Sequence, residues 1–233
     1  MGKIDWRAHA RPGYVPSMKL YRFRYSPYAR KVQTVLDLLQ LEYDLVEVSY
    51  SQRDELAELT GGYIYVPVLV DAGRVLTESR DICEHLLARQ DAAWLVPSAS
   101  AGPIWGYAEF SDGSLEDVLF RIASPAVRDA WATAGERALY VLVKERKFGA
   151  GCVDVWQRDR EALFTRAQRL LAPTLRTLSE QPFLFGDTPT FADAALDGQA
   201  KMLLEADPAL LARLGKPFAE HGARLADFIA RRA

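Results

Sequence analysis

Tyr25-Ser26-Pro27-Tyr28-Ala29-Arg30-Lys31 joins two stretches of unlike period. Before it, Met18 to Arg24 alternates, with Leu20 and Phe23 among β-formers, and reads as a strand. After it, Ala29, Val32, Val35, Leu36 and Leu39 keep helical spacing. Serine is a favoured cap and proline is tolerated in the first turn, so the helix opens at Ser26-Pro27. Working outward, Glu42 to Val48 reads as a second strand and Gln52 to Leu59 as a short helix ended by Gly61-Gly62. Val66-Pro67-Val68-Leu69-Val70 leads through the turn Asp71-Ala72-Gly73-Arg74 into Val75-Leu76. A third helix runs from Glu78-Ser79 to about Gln90. The order βαβαββα implies a parallel pair made by a right-handed crossover, beside an antiparallel hairpin, with helices covering the sheet.

From Asp91 to Gly102 the composition turns to Ala, Ser and Pro around Trp94-Leu95-Val96, as in an interdomain linker. No strand pattern follows. Helices are expected over 103–123, 125–148, 154–180, 190–206 and 217–231, with a short one near 209–214. In the long helix Leu163, Ala167, Leu170, Leu171, Leu175 and Leu178 mark one face, and this half reads as an α bundle. The expected organisation is an N-terminal extension (1–17), an α/β domain (18–90), a linker (91–102) and an all-helical domain (103–233).

The totals narrow the function. With 233 residues, 49% of them hydrophobic, the chain can bury real cores. A formal net charge of -2 argues against a general nucleic-acid or anionic-membrane binder. No apolar run approaches the roughly 20 residues that span a bilayer. Residues 1–17 lack a signal-peptide core, so a cytoplasmic protein is expected. The two cysteines make no C-x-x-C and no disulfide framework. Cys83 falls within an apolar helical pattern, as a buried thiol would, whereas Cys152 in a Gly-rich turn leaves reactivity open. The three histidines suggest no metal site.

Three segments carry chemistry. At the strand-to-helix turn, free N–H donors and the helix dipole stabilise an anion, and a hydroxyl there can donate to a thiolate. Ser26 suits that task, and equally suits simple capping of its own helix. At Tyr65-Val66-Pro67-Val68-Leu69, a proline enters a buried strand and removes a ladder donor. A cis Val66–Pro67 bond would turn the Val66 backbone towards a peptide-like ligand; an ordinary trans proline at an edge strand is the alternative. At Thr77-Glu78-Ser79-Arg80-Asp81, Ser79 is placed to cap the third helix and make a carboxylate site, with Glu78 beside it to pair with an ammonium. Routine capping accounts for the same residues.

In order and spacing these three segments resemble the glutathione transferase superfamily. A fourth likeness is Phe183-Leu184-Phe185-Gly186-Asp187-Thr188-Pro189-Thr190-Phe191-Ala192-Asp193-Ala194-Ala195. It resembles the family's helix-initiating segment and reads physically as a capping box of Thr190 and Asp193. The resemblance runs from Met18 to the C-terminus. It implies a thioredoxin-like domain followed by the helical domain, and glutathione as co-substrate without a metal.

By that likeness Val66, flanked by Tyr65 and Pro67, pairs with the cysteinyl backbone of glutathione, and Glu78 and Ser79 hold the γ-glutamyl end. Ser26 donates to the sulfur, with Tyr28 and then Tyr25 as other activators. Tyr28, Tyr107 and Phe110 are candidates for the electrophile site, alongside Trp105 and Phe120. The turn also resembles a glutaredoxin-like Cys-Pro-Tyr-Cys pattern with Ser26 and Ala29 in place of both cysteines. Serine forms no mixed disulfide, which favours conjugation or glutathione-dependent peroxide reduction over thiol transfer. No basic residue precedes Val66-Pro67, and Arg53, Lys31 or a tyrosine is left to meet the glycyl carboxylate. A two-fold homodimer with Tyr63 to Tyr65 near its interface is expected. The alternative is a non-catalytic glutathione-binding or protein-interaction module of the same fold.

Overall fold

A computed structural model describes residues 18–232. The extension read over 1–17 lies outside the described residues. Four strands, β1 (Met18–Arg22), β2 (Asp44–Glu47), β3 (Val68–Asp71) and β4 (Arg74–Thr77), form one sheet in the order β2-β1-β3-β4. The β1–β2 pair is parallel, and β1–β3 and β3–β4 are antiparallel. Helix α1 (Pro27–Leu38) makes the crossover, α2 (Asp54–Thr60) leads towards β3, and α3 (Ser79–Leu87) follows β4. This is the expected thioredoxin-like arrangement. Two 3₁₀ turns, Gln90–Leu95 and Ser98–Ser100, occupy the stretch read as a linker.

The helical half is α4 (Ala101–Phe110), α5 (Glu116–Ala130), α6 (Ala134–Phe148), α7 (Cys152–Arg158), α8 (Arg160–Glu180), α9 (Phe191–Ala206), α10 (Pro208–Ala212) and α11 (Lys216–Arg232). A π-helical turn, Ser111–Leu115, joins α4 to α5. Two breaks in the helical half differ from the sequence expectation. Pro125 does not start a helix; it lies buried inside α5, and the break falls at Trp131–Thr133. There Trp131 turns extended, and Thr133 and Glu136 form a capping box that restarts the chain as α6. The expected helix over 154–180 is divided at Asp159. In α8 the buried face is Phe164, Ala167, Leu171, Thr174 and Leu178; it keeps Ala167, Leu171 and Leu178 of the expected stripe and takes Phe164 and Thr174 in place of Leu163, Leu170 and Leu175.

One core joins the sheet to the bundle, from Leu20, Val35 and Leu69 to Leu119, Leu196 and Phe218. Its central contact is α1 against α9. Both helices present small or polar groups there: Gly198 meets the Pro27 carbonyl, and Thr34 Oγ1 donates to Asp197 Oδ2 at 2.6 Å. Helix α9 is buried from Phe191 to Ala200 and starts at the expected Thr190–Asp193 capping box. The fully buried Asp193 carboxylate also accepts the Leu184 N–H at 2.9 Å and lies 2.9 Å from His221 Nε2. That segment therefore holds the bundle together.

Candidate active site

Sheet register brings the three chemical segments to one edge. Tyr21 pairs with Val68, and Val68 pairs with Thr77. One step beyond that pair the ladder sets Pro67 and Val66 beside Glu78 and Ser79, while β1 runs on its other side into the Ser26 turn.

Ser26 caps α1 with extended backbone (φ −78°, ψ 115°), and its Oγ accepts the Ala29 N–H at 3.3 Å. It is 8% exposed. The cap uses an oxygen lone pair, which leaves the hydroxyl hydrogen free to donate to a sulfur in front of the turn. Tyr28 is differently placed. Its hydroxyl donates to the Asp112 carbonyl at 3.1 Å, and burial together with the Glu116 and Asp112 carboxylates raises its pKa. Tyr25 is raised further, by burial and by its neighbours Tyr50 and Tyr140.

The Val66–Pro67 bond is cis. Glu78 departs from the expectation that Ser79 caps α3: Glu78 takes the N-cap position and Ser79 is the first helical residue. The reason is backbone shape, since Glu78 has φ 62° and ψ 122° and makes no side-chain cap bond. A positive φ on a non-glycine residue costs of order 1–3 kcal/mol and gathers at functional sites. Its carboxylate accepts a hydrogen bond from Tyr63 Oη at 3.0 Å.

A cavity of about 170 Å³ opens in front of Ser26. Ser26, Pro27, Tyr28, Tyr65 and Val66 form its sheet side, and Glu116 and Phe120 of α5 with Val143 and Lys144 of α6 close the far side. Arg53 enters from the start of α2. Its Nε donates to the Tyr50 carbonyl at 3.0 Å and its Nη1 to the Ile64 carbonyl at 3.1 Å, with Phe23 and Tyr50 rings under the guanidinium. Lys31, the other cation considered for the glycyl carboxylate, is 1% exposed and paired with Asp112. It does not reach the cavity, because α1 turns it towards α9 and the π-helical turn. Burial, opposed by Lys147, pushes the Glu116 carboxyl up to about 7. Burial, with Lys147 and Arg53 nearby, pulls the Lys144 ammonium down to about 8.

Tyr107 and Phe110 do not line this cavity. Tyr107 Oη lies 2.9 Å from Thr174 Oγ1, and both rings pack on the core. Trp105 packs between the tilted Phe191 ring and the Arg80 guanidinium. Of the aromatics considered in the helical half, Phe120 does face Ser26 across the cavity. Cys83 is buried and pushed up to about 12; Cys152 opens α7, is buried and is also raised. Among the described residues no His, Cys, Asp and Glu group is arranged to hold a metal ion. None of their helices is long and apolar enough to cross a membrane.

The glutathione S-transferase N-terminal domain model matches residues 20–94, and the C-terminal domain model matches residues 124–221. The chain belongs to the glutathione transferase superfamily.

Solved transferase structures share this fold. A glutathione S-transferase of Ceriporiopsis subvermispora, in complex with glutathione, superposes with a TM-score of 0.71 at 18% identity, covering 94% of this chain and 100% of its own. A glutathione transferase of Phanerochaete chrysosporium gives 0.74 at 16%, covering 92% and 98%. Glutaredoxin 2 of Salmonella typhimurium, in complex with glutathione, gives 0.67 at 19%, covering 93% and 96%. No curated protein matches the chain.

Glu116, Val143, Lys144 and Tyr50 were not singled out in the sequence. Within α5 and α6 the first three read as ordinary positions on amphipathic helices, and only the approach of those helices to the Ser26 turn makes them cavity walls.

Proposed function

We propose that this transferase-family protein binds glutathione along the edge formed by Tyr65, Val66, Pro67, Glu78 and Ser79, and activates its thiol at Ser26 for attack on small electrophiles or peroxides. The observation that carries this reading is the Ser26 hydroxyl, capped on its own helix yet with its hydrogen free beside the cavity. Loss of a proton from a thiol near pH 7 needs a donor to the thiolate and a positive local field, and the α1 N-terminus offers both. Tyr28 is the second choice because its hydrogen is given to Asp112. Complexes of two structural relatives with glutathione support the same ligand here. Arg53 is the group suited to the glycyl carboxylate, being held by two carbonyls and lining the cavity.

The molecule is proposed to be cytoplasmic and to work as a homodimer, with the exposed Ile64 and Tyr65 ahead of β3 near the interface. Turnover of chlorodinitrobenzene with retention on a glutathione column tests the enzyme reading. Retention without turnover on a broad electrophile and peroxide panel selects a binding module instead. No saturable effect of glutathione on melting temperature removes glutathione altogether.

A further inference from the structure

We propose that Lys144 forms a carboxylate subsite in the cavity, and that the second substrate is an aryl electrophile bearing an acidic group. The inference rests on the reading of this cavity as the electrophile site of a glutathione transferase.

Lys144 stands on α6 across the cavity from Ser26, its Nζ 5.0 Å from the Phe120 ring and 4.7 Å from the Tyr140 ring. Lys31, Lys201 and Lys216 are held by carboxylates, of Asp112, Asp197 and Glu220, whereas Lys19 and Lys147, which do not line the cavity, are not held so among the described residues. Lys144 makes no ion pair among the described residues. Withdrawing an ammonium from water is costly, and two aromatic faces with the nearby, partly neutral Glu116 offset only part of it. An arriving anion would repay the rest.

A second observation points the same way. Tyr50 is 4% exposed, lines the cavity, and its hydroxyl has no hydrogen-bond partner; the Tyr25 hydroxyl on the same wall is likewise unpartnered. Buried donors in want of an acceptor mark where a ligand oxygen fits. Glutathione's own carboxylates are assigned to Ser79 and to Arg53, at the Tyr50 side of the cavity, so the Tyr25 and Tyr50 donors are left for its partner. Glu116, the one carboxylate on the cavity wall, is pushed up to about 7 and so is partly neutral near that pH. The Phe23, Tyr25, Tyr50 and Phe120 rings suit a flat aryl group. Sulfur forms a bond to the ring carbon, the carbon–chlorine pair leaves as chloride, and the thiol proton goes to solvent.

The test uses the full chain and two chloroarenes that differ in one group, 4-chloro-3,5-dinitrobenzoate and its neutral trifluoromethyl twin. Lys144→Met is expected to lower kcat/KM for the acid about tenfold more than for the twin, and Lys144→Arg to restore the preference. Equal losses on both substrates would show a structural role only and overturn the subsite. The unreactive 3,5-dinitrobenzoate, titrated by calorimetry without glutathione, gives a readout independent of turnover. Its affinity is expected to fall about tenfold in Lys144→Met. Unchanged affinity sinks the subsite. Lys144-dependent binding in a protein that neither binds glutathione nor turns over would instead sink the transferase reading and leave the subsite standing.

Discussion

Gly198 of α9 touches the backbone of Pro27 so closely that a Cβ at Gly198 would lie 2.5 Å from the Pro27 carbonyl oxygen. Neither atom belongs to a flexible side-chain end, so relief requires the helices to part. Gly198→Ala is expected to cost about 1–3 kcal/mol and to lower Tm by roughly 2–4 °C per kcal/mol. Since Pro27 follows Ser26, activity should fall as well. A thermal melt unchanged from wild type would show that α1 and α9 are not in this contact.

Ser26→Ala removes the proposed donor to sulfur. Loss of one such preorganised donor lowers kcat by about 10²–10³, and the thiol pKa of bound glutathione, read by ultraviolet titration of the thiolate, should rise. Removing the cap costs about 1 kcal/mol of stability in the same variant, so stability is measured alongside. Tyr28→Phe should change kcat little, because the Tyr28 hydrogen is bonded to Asp112. A larger effect of Tyr28→Phe would transfer the activating role to Tyr28.

Glu78 carries its site in a backbone conformation that glycine adopts freely. Glu78→Gly should therefore leave Tm equal to or above wild type, as strain of order 1–3 kcal/mol is relieved against about 1 kcal/mol of added chain entropy. Glutathione affinity should drop about tenfold with the carboxylate gone. Calorimetry and a melting curve on one sample decide it. A clear loss of stability would mean that φ 62° costs nothing here.

The preference for an acidic over a neutral electrophile should depend on pH, and the ratio of the two rates cancels the common thiolate term. Below about 7, Glu116 is largely neutral and Lys144 charged. As pH rises through about 7 Glu116 ionises beside the ammonium, and through about 8 Lys144 loses its proton. Lys147, Arg53 and Cys152 are the other titratable groups acting on Lys144. The ratio should thus decline from about pH 6 to about pH 9, with a flat ratio contradicting the assignment.

Much of the fold is legible in the sequence because it rests on local signals. Ser26-Pro27, the Asp71 to Arg74 turn and the Thr190–Asp193 box each announce an element within a few residues. Pro125 misleads because burial inside α5 overrides its usual role as a breaker, while Thr133-Ala134-Gly135-Glu136 holds a capping box that marks the true restart. The proposed glutathione edge is legible too, since β1, β3 and β4 lie close in sequence. The proposed electrophile wall is not. Phe120 and Lys144 reach Ser26 through contacts between helices remote in the chain, and Tyr107 and Phe110 have the right chemistry on another face. Ser79 loses the cap position to Glu78 through one backbone angle that composition does not encode.

The π-helical turn Ser111–Leu115 has a role as a hub. Asp112 within it receives the Tyr28 hydroxyl on its carbonyl and the Lys31 ammonium on its carboxylate, and the Ser111 carbonyl accepts from Gln199 of α9 at 3.1 Å. One widened turn thereby ties the helix that bears the serine to both the bundle's central helix and the rim of α5. The proposed seat of the sulfur is fixed from behind by this tie, while Val143 and Lys144 of the far wall stand on α6, outside it. Divergence in substrate among proteins built this way would then be written in α6, where side chains can change without disturbing the atoms proposed to hold the thiol.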